Sequence, residues 1–209
     1  MSIILASTSP RRSELLALLG IAFEIVPPTA EEIRSPDLSP REQAKQFALD
    51  KALSVARRHP DDLVLGGDTV IEIDGTLVGK PQDLHDAGIM LRQLRGRSHQ
   101  VHTGIALIHQ AAHVTLVQVE TAHVRMTPFT DHELRRYLET EESLGKAGAY
   151  SIQGEGARFI ETIEGDYPTI VGLPLRQTAD LLEQRGVVLK TPTEEIYRLK
   201  PYANWKAFG

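Results

Sequence analysis

The chain reads as an α/β protein built on a mixed, twisted sheet flanked by helices, and three observations predict this. Strand-like and helix-like segments interleave along the sequence, an order that stacks helices against a sheet. Two hairpins interrupt any strict strand–helix–strand rhythm, so the sheet is mixed rather than purely parallel. With 209 residues, of which 41% are apolar, the chain can bury the core of one globular unit.

Ser2 to Ala6 is a short apolar run, the pattern of a buried strand. Ser9-Pro10 supplies a helix N-cap followed by proline at the first helical position, so a helix runs from Pro10 to Leu19 and stops at Gly20. Phe23 to Val26 reads as a strand ended by Pro27-Pro28, and a loop covers Thr29 to Leu38. Ser39-Pro40-Arg41-Glu42 is a capping box that opens a long helix to about Arg58. Leu63 to Gly66 and Val70 to Ile73 read as two short strands, with Gly67-Asp68-Thr69 just before the hairpin turn Asp74-Gly75. Asp83 caps a helix from Leu84 to Leu94 that Gly96 ends. Two extended segments follow, Gln100 to Ile108 and Val114 to Arg125. The capping box Thr130 to Glu133 then starts a helix to about Glu139. Tyr150 to Gln153 reads as a strand within a glycine-rich stretch, and Phe159 to Ile163 as another. Leu173 to Gln184 is the last amphipathic helix, stopped by Gly186. Thr191 to Gly209 has no clear periodicity and reads as a tail that packs or hangs free.

Composition excludes several function classes. Cysteine is absent, which removes disulfides, thiolate metal sites and a cysteine nucleophile and leaves oxygen and imidazole as ligand types. The net charge of −5 and the lack of any long basic run argue against a nucleic-acid partner. No apolar run reaches membrane-spanning length, and Ser7 and two arginines come too early for a secretory signal, so a soluble cytoplasmic protein without a membrane partner is expected. His99 and His102, three apart on a strand, point to opposite faces and do not make a zinc pair. No Gly-x-Ser-x-Gly turn, phosphate-binding Gly-x4-Gly-Lys loop or dinucleotide fingerprint is present.

Four clusters remain. Ser7-Thr8-Ser9-Pro10-Arg11-Arg12 gathers hydroxyls and two guanidinium groups where a strand ends and a helix begins. Free N–H groups and the helix dipole already favour an anion there, and two arginines in a first turn oppose that dipole unless an anion offsets them. The alternative is a plain cap with solvated arginines. Lys51 shares a helix face with Ala44, Ala48 and Val55, so it either snorkels out or faces something anionic. Asp68, at the lip of a strand and freed by Gly66 and Gly67, is placed to hold a hard cation, with Glu31 and Glu32 near enough in sequence to add a second carboxylate. Gly79-Lys80-Pro81 offers a lysine held on rigid backbone.

Together these pieces resemble the Maf family of nucleoside triphosphate pyrophosphatases, from about residue 3 to residue 186. The resemblance rests on Ser7 to Leu16, Lys51-Ala52, Gly67-Asp68-Thr69-Val70, Gly79-Lys80-Pro81-Gln82-Asp83, and Gly96 with His99, Val101 and Thr103. It continues through Lys146-Ala147-Gly148-Ala149-Tyr150, Ile152-Gln153-Gly154, Gly165-Asp166-Tyr167 and Val171-Gly172-Leu173-Pro174-Leu175. It implies a Maf/ITPase-like fold of two lobes around a deep cleft, a homodimer, and cleavage between the α and β phosphates with Mg²⁺ or Mn²⁺. By position it assigns Ser7, Arg11, Arg12, Lys51 and Lys80 to the triphosphate, and Asp68 and Glu32 to the metal and water, with Asp68 as the catalytic carboxylate. Thr69, Gln153 and Gly165-Asp166-Tyr167 match the branch acting on dTTP and UTP. A glutamine amide carries the donor and acceptor that complement the edge of uracil or thymine. Gly145 stands where the family commonly has Asp, and Arg95 where it often has Ser. On this reading residues 1–189 form the pyrophosphatase domain, and 190–209 lie outside the resemblance. Two rivals remain: a nucleotide-binding regulator of septum formation without turnover, and a nucleotidyltransferase that requires an acceptor.

Overall fold

In the computed structural model, which describes residues 1–208, seven strands form one mixed sheet with helices on both faces. The chain begins with β1 (Ile3–Ala6), α1 (Pro10–Ala17), the two-residue β2 (Glu24–Ile25) and α2 (Pro40–Ala56). It continues through β3 (Leu63–Ile73), β4 (Thr76–Val78), α3 (Leu84–Leu94), β5 (Ser98–His109), β6 (Val114–Met126) and α4 (Asp131–Leu138). It ends with β7 (Ile160–Glu164), α5 (Tyr167–Val171), α6 (Leu175–Glu183), α7 (Thr193–Leu199) and α8 (Ala203–Phe208). The strand order is β2-β1-β3-β5-β6-β7, with β4 paired to the far half of β3. β2, β1 and β3 run parallel, whereas β3, β5, β6 and β7 form an antiparallel ladder, giving the mixed sheet that the two hairpins predict.

The end signals act largely as the sequence implies. Ser39 and Glu42 form a reciprocal capping box on α2, and Thr130 and Glu133 do the same on α4. Asp83 accepts the Asp86 N–H to cap α3. Asp74 and Gly75, with φ of 50° and 77°, make the tight turn between β3 and β4. Ser9 precedes α1 with extended backbone, but its side chain makes no capping bond.

Two cores lie on opposite faces of the sheet. The small-residue face of α2, Ala48, Ala52, Val55 and Ala56, packs on Ile4, Ala6, Val64, Ala106 and Ile108. This contact is unusually close because β3 and β5 present glycines beneath the helix. A Cβ on Gly66 would lie 2.5 Å from the Ala48 carbonyl oxygen, and one on Gly104 only 2.3 Å from that of Ala44. The larger core, on the other face, collects leucines of α1, α3 and α6 with the aromatic residues Phe129, Tyr137, Phe159 and Tyr167.

Three expectations change. The two short strands at 63–66 and 70–73 are one eleven-residue strand, because Gly66, Gly67 and Asp68 all pair with β5, opposite Ala106, Ile105 and Gly104. Asp68 is therefore mid-strand rather than at a strand lip, and its glycines serve packing rather than loop freedom: Gly66 lies under α2, and Gly67 leaves room for the Arg12 side chain. Tyr150 to Gln153 is not a strand. The left-handed Gly148 and Ala149 turn the chain beforehand, and just after it Glu142 accepts the N–H groups of Glu155 and Gly156 at 2.8 and 3.0 Å, so the chain is bent and held by a carboxylate on leaving the segment rather than running on beside a strand. The helix ending near Gln184 is not the last: of the two alternatives for the tail, packing holds, and its helices α7 and α8 bury Ile196 and Trp205 in the larger core. Helix α5 has no counterpart in the sequence reading, although Asp166 followed by Tyr167-Pro168 is a cap with an early proline. Among the described residues, no helix is long and apolar enough to cross a membrane.

Candidate functional site

A cleft of about 420 Å³ opens where β1 ends and α1 begins, over the middle of β3. The carboxyl end of a strand feeding a helix is where open α/β sheets place ligands. Ser7, Arg11, Arg12, Glu32, Lys51, Asp68, Thr69, Lys80 and Gln153 all line it, so residues separated by up to 146 positions share one hollow. Glu31 is not among the lining residues.

Hydrogen bonds and ion pairs position Arg12, Glu32, Lys51, Asp68 and Lys80. Arg12, in the first turn of α1, is held by three acceptors. Its Nε donates to the Gly172 carbonyl at 2.9 Å, and its two terminal nitrogens donate to Ser7 Oγ at 3.4 Å and Thr69 Oγ1 at 3.2 Å. Thr69 Oγ1 also lies 2.9 Å from Thr103 Oγ1, and Thr103 donates to the Thr169 carbonyl at 2.7 Å. The guanidinium is thus built into the wall, with β3, β5 and α5 as its frame. Burial lowers the pKa of both Arg11 and Arg12, from a starting value so high that both stay charged.

Lys51 extends from α2 over β3 and donates to Asp68, and also to Glu32 at 2.7 Å. Lys80 reaches Glu32 at 3.3 Å from the loop after β4. The carboxyl groups are pushed apart. Burial raises Asp68 against the opposing charges of Lys51 and Arg12. Burial also works against ionisation of Glu32, but the hydrogen bonds and charges of Lys51 and Lys80 outweigh it and hold this group below its ordinary value. Two carboxylates of divergent proton affinity beside four cations, Arg11, Arg12, Lys51 and Lys80, suit an acid–base step on a polyanion.

The donor set also fits a hard divalent cation. Asp68 and Glu32 supply oxygen, and among the described residues no group of three or more potential ligands surrounds them. A cation completed by one or two carboxylates and the ligand's own phosphates is the usual Mg²⁺ arrangement.

Tyr150, Ile152, Gln153, Ile170 and Val171 form a more apolar part of the lining, which meets Arg12 where α5 ends at Gly172. Tyr150 is fixed by a 2.8 Å hydrogen bond to buried His99, whose pKa burial lowers to about 4. One lining cation was missed by the residue-level reading. Lys146 faces the cleft, with its pKa lowered by burial and then by nearby Arg11. Its signal was a lysine among glycines at 145 and 148, the same context that drew attention to Lys80. Thr103 was missed as a support because an isolated threonine in a strand carries no local signal.

The chain matches the family model described as Maf-like protein over residues 2–185. It is similar to a dTTP/UTP pyrophosphatase of Pelotomaculum thermopropionicum, 44% identical over 184 residues, covering 88% of this chain and 96% of the relative. It is also similar to a dTTP/UTP pyrophosphatase of Symbiobacterium thermophilum, 45% identical over 189 residues, covering 90% and 96%. A solved Staphylococcus aureus Ham1 protein aligns with a TM-score of 0.45 at 14% identity, covering 61% of this chain and 73% of that one.

Proposed function

The chain belongs to the Maf family, and from that premise we propose that it hydrolyses nucleoside triphosphates, with UTP and dTTP preferred, to the monophosphate and pyrophosphate. The observation that carries this reading is the meeting of Arg11, Arg12, Lys51 and Lys80 with Asp68 and Glu32 in one cleft.

Arg12 and Ser7, with the N-terminus of α1, bind phosphate oxygens through fixed donors that need no reorganisation. Lys51 and Lys80 neutralise charge at the acidic end. Mg²⁺ or Mn²⁺, held by Asp68 and Glu32, would offset triphosphate charge and draw electron density from phosphorus. Asp68 accepts a proton from a water whose oxygen forms the new bond to the α-phosphorus, while the bond from that phosphorus to the bridging oxygen breaks and pyrophosphate leaves. Glu32, held below its ordinary value by Lys51 and Lys80, stays ionised as a ligand. Gln153 reads the pyrimidine edge, and a mismatched base leaves its amide unpaired.

The test is direct: purified protein with UTP and Mg²⁺ should release UMP and pyrophosphate with water as the only acceptor. Asp68→Asn should keep the fold while losing roughly 10²- to 10⁴-fold in kcat, the range of a general base. Near-normal turnover in that variant removes Asp68 from the role, and a requirement for a second acceptor makes the protein a transferase.

A further inference from the structure

The segment after residue 189 lies beyond the family match, which ends at residue 185, yet it touches both segments that form the apolar part of the cleft lining. It is tied first to the turn after α1, where the N–H groups of Lys190 and Thr191 donate to the Leu19 carbonyl at 3.2 and 3.3 Å. Helix α7 then lays Tyr197 under Arg176, whose Cζ sits 3.9 Å from the ring centroid. The Trp205 ring of α8 stacks on Tyr167 at 5.5 Å with planes 9° apart, and Tyr197 meets it edge-on at 5.1 Å. Tyr167 opens α5, whose Ile170 and Val171 line the cleft. One residue before the tryptophan, Asn204 Nδ2 donates to the Ile152 carbonyl at 2.8 Å.

That last bond matters because of where Ile152 lies. Tyr150 to Gln153 has no neighbouring strand, so its backbone is held only by discrete contacts, and Ile152 and Gln153 both face the ligand space. We propose that residues 190–208 are a strap that sets the base-selecting part of the cleft, with Asn204 positioning Ile152 and Gln153 and Trp205 positioning α5. The inference rests on the reading of Gln153 as the base reader. Asn204 itself is a positioning residue and touches no reacting atom. The two contacts differ in reach: Trp205 acts on α5, which also holds Arg12 through the Gly172 carbonyl, whereas Asn204 acts on the Ile152 carbonyl alone and so tunes ground-state fit and base choice apart from Lys51 and Asp68.

Removing Trp205 empties a core position and risks unfolding, so the informative change is Asn204→Asp, which keeps shape and replaces the donor by an acceptor facing a carbonyl. In the full chain with Mg²⁺, the expected result is a roughly three- to tenfold rise in KM for UTP, the equivalent of one hydrogen bond, with kcat unchanged. The ratio of kcat/KM for UTP over CTP should fall, and amide hydrogen exchange at 151–154 should quicken while that of β3 does not. Unchanged KM and base ratio in the Asn204→Asp protein overturn the strap, as does a fall in kcat alone. If the unaltered protein cleaves triphosphates without any base preference, the base reader itself fails and the strap falls with it, an outcome identified by the parent chain rather than the variant.

Discussion

Lys51 and Asp68 are hydrogen-bonded across the junction of α2 and β3, and the same ammonium donates to Glu32 at 2.7 Å. One internal cation thus occupies the position between the two carboxylates proposed to hold the metal, and a divalent ion has to compete with it. Mn²⁺ added alone should therefore bind weakly, with a Kd of about 0.1–1 mM or higher, and at least about tenfold more tightly once a non-hydrolysable UTP analogue supplies phosphate oxygens. Titration calorimetry with and without the analogue reads both values. Tight binding to the nucleotide-free protein would show that Lys51 yields without help from phosphate.

Arg12→Lys keeps the charge but not the fork. A single ammonium cannot span the Gly172 carbonyl, Thr69 Oγ1 and Ser7 Oγ, which lie around one planar guanidinium. The variant should lose about 1.5–3 kcal/mol of stability, the worth of a charged group's lost hydrogen bonds. Its kcat/KM should fall by roughly ten- to a hundredfold, because a loosened wall no longer presents its donors in place. Urea denaturation and steady-state kinetics measure the two effects, and an unchanged midpoint would show that the α1–α5 tie contributes little.

Helix ends and strand existence were legible because they depend on local chemistry. Ser39 with Glu42, Thr130 with Glu133 and the Asp74-Gly75 turn all satisfy their own backbone within a few residues. The continuity of β3 was not legible, since Gly66-Gly67-Asp68 lacks strand propensity and is extended only because β5 pairs with every residue of it. Tyr150 to Gln153 misled for the opposite reason: the alternation Tyr-Ser-Ile-Gln has a strand pattern but finds no partner strand, and the amides that follow it go to Glu142. Residues of the cleft could be named one cluster at a time, but the pairing of Lys51 with Asp68 depends on α2 crossing β3, a tertiary fact. The tail stayed unreadable because its order comes from Trp205 meeting Tyr167, with no periodicity of its own.

His99 predicts an acid-side loss of stability. Its pKa falls from 6.5 to about 4 in the folded state because burial penalises the charged imidazole. Between those values the unfolded chain holds a proton that the folded chain does not, so stability rises with pH across that window and is lost as pH falls through it. The full loss from this group is about 3 kcal/mol. His99→Gln should flatten that part of the profile while costing stability at neutral pH through the lost Tyr150 contact. Urea midpoints from pH 7 to pH 4 for both proteins decide it, and parallel profiles would mean that His99 does not titrate on unfolding.

Gly104 tests whether close packing sets the catalytic geometry. It pairs with Asp68 across the β3–β5 ladder, and a Cβ there would sit 2.3 Å from the carbonyl oxygen of Ala44 and 2.6 Å from its carbon. These are backbone atoms of α2, so Gly104→Ala cannot be absorbed by a rotamer change and has to lift the helix. Overpacking of this kind costs about 1–3 kcal/mol. Lys51 rides on the same helix, so lifting α2 also draws its ammonium away from Asp68, and turnover should fall well beyond what the unfolded fraction explains. Gly186→Ala is the matched control, with φ of +78° but nothing within 4 Å of the new methyl group. It should cost about 1–2 kcal/mol of backbone strain with kcat preserved. If both glycine variants lose stability equally and retain kcat equally, the depth at which α2 rests on the sheet does not control how Lys51 meets Asp68.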